Sequence, residues 1–74
     1  MKLKKDRIII ASDVKRDGIG IEVYRDDELV IEIFRSDSDK TRTINIFKKD
    51  LPLKLMEESI ATFKKEIPWD FIDD

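Results

Sequence analysis

Apolar and polar residues alternate along four stretches of the chain, and the period then changes near its end. The second stretch sets Ile19, Ile21 and Val23 against Gly20, Glu22 and Tyr24. A two-residue period of this kind is that of a half-buried strand with Ile19, Ile21 and Val23 facing inward. The third places Leu29, Ile31 and Ile33 on one face and Val30, Glu32 and Phe34 on the other. In the fourth, Arg42, Ile44 and Ile46 share a side opposite Thr41, Thr43, Asn45 and Phe47. The first, from Arg7 to Val14, contains the run Ile8-Ile9-Ile10-Ala11. From Asp50 onward, Leu53, Met56, Ile60, Phe63 and Ile67 recur at three- and four-residue steps, which is one stripe of an α-helix.

Turn chemistry separates these elements. Lys15-Arg16-Asp17-Gly18 predicts a hairpin, with Gly18 supplying positive φ. The inward sets of strands two and three are both odd-numbered, so a strict two-residue turn at Asp26-Asp27 would set Ile21 opposite Glu32. Parity therefore predicts a three- or five-residue loop or a bulge around Asp26 to Glu28. One allowed register places the Phe34 ring opposite Gly20, covering bare backbone. The turn through Ser36-Asp37-Ser38-Asp39 must hold an even number of residues, and Ser and Asp side chains suit it by bonding to nearby amides. Asp50 is the expected helix N-cap, Pro52 fits the first turn and Pro68 stops the helix. The expected fold is α+β: a four-stranded antiparallel meander with one C-terminal helix packed on one face. Its expected spans are strands at about 7–14, 19–25, 29–35 and 40–48, a helix at about 51–67 and a tail at 68–74, all in a single domain over 1–74.

Composition narrows what such a fold does. A chain of 74 residues buries only about 60% of the surface its unfolded form exposes, so a supplement to the core is expected. The chain has no Cys and no His, which excludes disulfides, thiol chemistry and the commonest metal ligand and general base. Self-association is then the expected supplement. Fifteen basic and seventeen acidic residues nearly cancel to −2, a balance that exerts no global pull toward nucleic acid or anionic lipid. The apolar set contains twelve Ile against five Leu, which favours strands. No apolar stretch reads as a membrane span or a signal peptide, so the expectation is a cytoplasmic protein without a membrane partner.

Candidate chemistry is sparse. Glu22 and Glu32 share the outer face of adjacent strands, as a carboxylate pair would, although alternation alone puts polar residues there. The clusters Asp26-Asp27-Glu28 and Asp37-Ser38-Asp39 lack EF-hand spacing and sit where turns call for Asp. Ser12, Ser36, Ser38 and Ser59 have no histidine to activate them, and Asp17-Gly18-Ile19-Gly20 does not open a helix as a phosphate loop would. The reading is non-enzymatic, with no cofactor and no metal.

Two binding readings remain. Basic residues gather at Lys2, Lys4, Lys5 and Arg7, at Lys15 and Arg16, and at Lys40, Arg42, Lys48 and Lys49. With Tyr24, Phe34 and Phe47 on an open sheet face, they suggest single-stranded nucleic-acid binding. The element order resembles that of the PUR-repeat and positive-cofactor-type single-strand binders. Against this stand a pI near 5.1 and the carboxylates of the same face. The other reading is a homodimer or a protein partner. One helix, about 10 Å wide, cannot span four strands spaced about 4.8 Å apart, and Tyr24, Val30, Phe34 and Phe47 remain outside. The candidate interface residues are Tyr24, Val30, Phe34, Arg35, Arg42, Phe47 and Trp69, with Trp69 expected to dock on the body. Finally, Asp17-Gly18-Ile19-Gly20 followed by Phe34-Arg35-Ser36-Asp37 resembles short bacterial proteins of unknown function with a DGIG…FRSD pattern. That resemblance implies no activity. It does imply that Phe34, Arg35, Ser36 and Asp37 act together, with Arg35 capping the turn carboxylates.

Overall fold

The computed structural model describes residues 6–72, so Lys2, Lys4 and Lys5 and the end of the tail lie outside the described residues. Four strands, β1 (Asp6–Asp13), β2 (Gly18–Arg25), β3 (Glu28–Ser36) and β4 (Thr41–Ile46), form one antiparallel sheet in chain order. The helix α1 (Leu53–Glu66) follows. The expected α+β meander is therefore the fold, with β4 starting one residue later and the helix slightly shorter than the pattern suggested.

The core sits between α1 and the middle of the sheet. Ile21 and Val23 of β2 and Ile31 of β3 are fully buried, and Ile33 is 4% exposed. Each such side chain contributes roughly 1.5–3 kcal/mol by leaving water. The register sets Ile21 opposite Ile33 and Val23 opposite Ile31, and Gly20 faces Phe34 as parity allowed. From the helix come Leu55, Ser59 and Phe63, one i, i+4 line, with Ile67 just beyond it and Met56 and Ile60 at its flank. Leu53 is not on this line and is 73% exposed. The expected stripe was rotated by part of a turn, because Leu55 and the fully buried Ser59 hold the centre. Ser59 satisfies its hydroxyl by donating to the Leu55 carbonyl at 2.7 Å.

Between β2 and β3 the expected bulge is present, but it lies at Val30, two residues beyond the Asp26–Glu28 stretch where it was expected. Asp26 and Asp27 both have positive φ, 51° and 68°, which is the two-residue type I′ hairpin that parity argued against. The parity is restored inside β3 instead: the register slips between Val23 and Tyr24, whose partners are Ile31 and Leu29. Val30 is the extra residue. The bulge turns Val30 into the core, where it is fully buried, and sets Leu29 against Tyr24. The faces expected for Leu29 and Val30 are thus exchanged.

Aspartates also take the left-handed positions elsewhere. Asp17, not Gly18, has positive φ in the first hairpin, at 52°, and Lys40 ends the β3–β4 turn at 57°. Asp50 has φ 58° and caps nothing; the N-cap is Pro52, whose carbonyl accepts from the Leu55 and Met56 amides. The two glycines are kept for close approach. A Cβ on Gly18 would meet the Arg35 carbonyl and the Phe34 ring, and one on Gly20 the Ile33 carbonyl and the Phe34 backbone.

Candidate functional site

Each face of the sheet carries an arginine–carboxylate cluster, the helix side has a further Arg25–Asp6 pair at 3.1 Å, and each edge carries exposed isoleucines. On the face away from α1, Phe34 lies over the bare backbone of β2 and is 4% exposed. Arg16, from the β1–β2 turn, covers it, with the guanidinium 4.0 Å from the ring centre. Its two terminal nitrogens donate to Glu32 at 3.2 and 2.7 Å, and Nε donates to Asp13 at 2.6 Å. Asp13 also accepts the Lys15 and Arg16 amides, which shapes the turn that delivers Arg16. Hydrogen bonds from Arg16 hold the Asp13 carboxyl below its ordinary pKa. Glu32 is lowered first by Arg16 and also by Asn45, against the upward push of burial. Arg16 in turn keeps its proton more firmly than usual.

This arrangement answers the carboxylate question. Glu22 and Glu32 are directly opposite, as expected, but neither faces the other unpartnered. Glu32 is claimed by Arg16 and Asn45, and Glu22 accepts from the Tyr24 hydroxyl at 3.0 Å, which raises the pKa of Tyr24. Nothing here sets one carboxyl free to give a proton while the other takes one.

On the helix side, Arg35 and Arg42 are cross-strand partners at the turn end of the sheet. Arg35 is 2% exposed. It donates to the Pro68 carbonyl at 2.6 Å and to Asp37 Oδ2 at 3.2 Å; its Nε stands 2.9 Å from Asp37 Oδ1 as an ion-pair contact without hydrogen-bond alignment. Arg42 donates twice to the Trp69 carbonyl, at 3.1 and 2.6 Å. Its guanidinium lies 3.8 Å from the Trp69 ring centre and 4.2 Å from that of Phe71. Asp37 accepts the Ile72 amide at 3.1 Å. Burial pushes the Asp37 pKa up, but the Ile72 amide, Arg35 and Lys40 outweigh it and leave it below the ordinary value.

The segment after the helix is therefore strapped to its own domain by two arginines reading its carbonyls and an aspartate reading an amide. Trp69 docks as expected, on one face only, and is 53% exposed. A shallow recess of about 390 Å³ beside the strap is lined by Ser12, Val14, Ile19, Arg35, Pro68 and Ile72, among others. Its charged lining is the closed Arg35–Asp37 pair together with Asp13 and Asp17 of the first hairpin.

The expected interface residues thus separate. Val30 and Arg35 are buried, Phe34 is sealed under Arg16, Tyr24 and Arg42 are half-buried, and Phe47 and Trp69 are exposed. The three rings proposed as an open stacking platform are not one. Phe34, Arg35, Ser36 and Asp37 are all buried, and Arg35 does bind a turn carboxylate, that of Asp37. Among the described residues no three carboxylates gather as a metal site, and no helix is long and apolar enough to cross a membrane.

Sequence reasoning missed Arg16 as the cover of Phe34, and expected a sheet wider than its helix without placing the uncovered residues. Ile10 of β1 is 54% exposed, and Ile44 and Ile46 of β4 are 45% and 55% exposed. Their cross-strand partners, Ile21, Ile33 and Ile31, are all buried core. The helix covers the centre of the sheet and leaves both margins apolar and open. Set against protein-family models, curated proteins and solved structures, the chain matches none of them.

Proposed function

We propose that this chain is a small non-enzymatic binding or accessory module of the cytoplasm that associates with a second copy of itself. The observation that carries the reading is the half-exposure of Ile10, Ile44 and Ile46 beside a fully formed core. These side chains point to the helix side of the sheet, yet α1 is too narrow to reach them. An apolar margin next to an unpaired strand edge favours association, because pairing satisfies the edge amides and removes the isoleucines from water together.

The polar clusters support the same reading. Arg16, Arg35 and Arg42 are spent on internal partners. Single-strand nucleic-acid binding draws less support. It needs rings free to stack, and Phe34 is covered by a guanidinium that is itself committed to Glu32. The net charge of −2 adds nothing to it.

Sedimentation velocity of the full chain, from low to high micromolar concentration, tests the proposal. The expected outcome is a sedimentation coefficient that rises with concentration toward that of a dimer. A pure monomer at the top of the range overturns it.

A further inference from the structure

The sheet has two edges, and charge distinguishes them. β4 is the shorter. Two of the three registers that would pair its isoleucines with those of a second β4 bring like charges together just past the strand, where Lys48 is already paired with Glu28 at 2.9 Å. The third, Ile46 against Ile46, overlaps the strand at that one residue. Setting Ile44 against Ile46 of a second copy, with strands antiparallel about a two-fold axis, places Arg42 opposite Lys48 just past the strand end. Setting Ile44 against itself places Lys40 opposite Lys48. Like charges directly opposed across strands are unfavourable. Arg42 is also held on the strap by the Trp69 carbonyl and ring, so it does not swing clear.

β1 behaves differently under the same operation. Its residues alternate, with Ile8, Ile10 and Ser12 on the helix side and Arg7, Ile9, Ala11 and Asp13 on the other, as their partners in β2 dictate. Setting Ile10 opposite Ile10 of a second copy keeps every side chain on its own face. It then sets Ile9 opposite Ala11 and Arg7 opposite Asp13, and the two-fold axis repeats each pair. Opposite charges meet at both ends of the strand and the most exposed isoleucine of the edge meets itself at the axis. Arg7 is already held on that face, 4.8 Å from the Tyr24 ring centre, and Asp13 is fixed by its turn. There Asp13 also pairs with Arg16 at 2.6 Å and would share its carboxylate with the second copy's Arg7.

We infer that the partner for this edge is a second copy of the chain, joined β1 to β1 in that register to make one eight-stranded sheet. The inference rests on the self-association proposed above and specifies its surface. Eight residues span about 26 Å of strand. That length buries less than the roughly 800 Å² per partner of a standard interface, so the dimer belongs to the weak, concentration-dependent class.

The chain has no cysteine, so single substitutions report the register cleanly. In the inferred dimer the two residue-10 Cα atoms are about 4.5–5.5 Å apart, within disulfide range. The two residue-9 Cα atoms lie on a diagonal of about 7–8 Å, beyond it. The full-length Ile10→Cys, Ile9→Cys and Asn45→Cys variants, oxidised with diamide at high micromolar concentration, are expected to differ. Ile10→Cys should form the linked dimer about tenfold faster than the others on a non-reducing gel. Fastest linkage in Ile9→Cys overturns the register, and fastest linkage in Asn45→Cys moves the contact to β4. Equal, slow linkage in a chain that sediments as a dimer overturns the inferred β1 register. The same result in a chain that sediments as a monomer shows that the underlying self-association fails. As a second reading that does not depend on cysteine, Arg7→Glu should raise the dimer dissociation constant several-fold, since it turns both end pairs repulsive. No change overturns the inferred charge match.

Discussion

Arg16 and Arg35 make nearly the same bonds in opposite surroundings. Each guanidinium meets a carboxylate at a neighbouring turn, Asp13 for Arg16 and Asp37 for Arg35, and each locks a segment against the sheet. Arg16 does so with its side chain 47% exposed, on the open face, whereas Arg35 does so at 2%, under the strap. The exposed cluster shields a ring that is already buried against glycine backbone. The buried one is the attachment itself: without Arg35, the Pro68 carbonyl loses its donor and Asp37 loses its ion-pair partner at 2.9 Å, keeping the Ile72 amide and the field of Lys40. Similar contact lists therefore carry very different weight, and solvent decides which.

The sharpest way to break the comparison is to remove each arginine in turn. Arg35→Met keeps the aliphatic bulk while leaving a buried carboxylate unpaired. Breaking a buried pair from one side costs about 3–5 kcal/mol, a large share of the stability of a domain this size. The urea midpoint is expected to collapse accordingly, and the fluorescence of Trp69, the chain's single tryptophan, should report release of the strap. A midpoint shift equivalent to less than about 1 kcal/mol would mean that Arg35 is no more weight-bearing than a surface residue.

The outer face breaks from below rather than from above. Gly20→Ala directs a methyl at the Ile33 carbonyl and the Phe34 backbone, neither of which is a flexible side-chain end. Overpacking of this kind costs about 1–3 kcal/mol, and here the ladder between β2 and β3 must move to relieve it. The expected loss exceeds that from removing Arg16 itself, which thermal denaturation of the two variants compares directly.

These two glycines show how far the alternation pattern could be read. It gave the strand order, the inward isoleucines and the Gly20–Phe34 pairing, because each depends only on parity and local period. It could not place the β2–β3 correction, since a longer turn and a bulge repair parity equally well. The choice fell to two aspartates that tolerate positive φ at Asp26 and Asp27. Arg35 and Arg42 were visible as helix-side positions in the same alternation. Two arginines facing the core require buried acceptors, and the carbonyls just past the helix end were the nearest ones available. The helix stripe was misplaced because Ser59 counts as polar by type but is small enough to sit at the centre of the contact.

Acid separates the clusters by a smaller amount. Asp37, Glu32 and Asp13 all have lowered pKa values in the folded chain. A lowered folded pKa means stability that is present above the unfolded value, near 4, and lost as pH falls through the folded value. The parent is thus expected to weaken steadily below about pH 4. Arg35→Met should weaken less over the same interval, because protonation relieves the carboxylate it leaves unpaired. The gap between parent and variant urea midpoints then narrows on acidification. A gap that widens would place the unpaired charge elsewhere.

The smallest effect is the most informative about the open face. Arg16→Met removes a two-nitrogen contact to Glu32, an ion pair to Asp13 and a stack on Phe34. Counted contact by contact, these look like the Arg35 set. Arg16 remains half in water, however, and Glu32 retains Asn45 when the arginine leaves. Exposed pairs contribute about 0–1 kcal/mol, and the methionine still covers part of the ring, so a loss of about 1 kcal/mol is the expectation. Salt makes the distinction from Arg35 independent of magnitude. At 1 M ionic strength the screening length falls to about 3 Å, so the difference between parent and Arg16→Met should shrink. The difference between parent and Arg35→Met should not, because no ions reach a guanidinium that is 2% exposed. If both differences shrink alike, the strap opens often enough for salt to enter, and the buried cluster is less closed than its geometry implies.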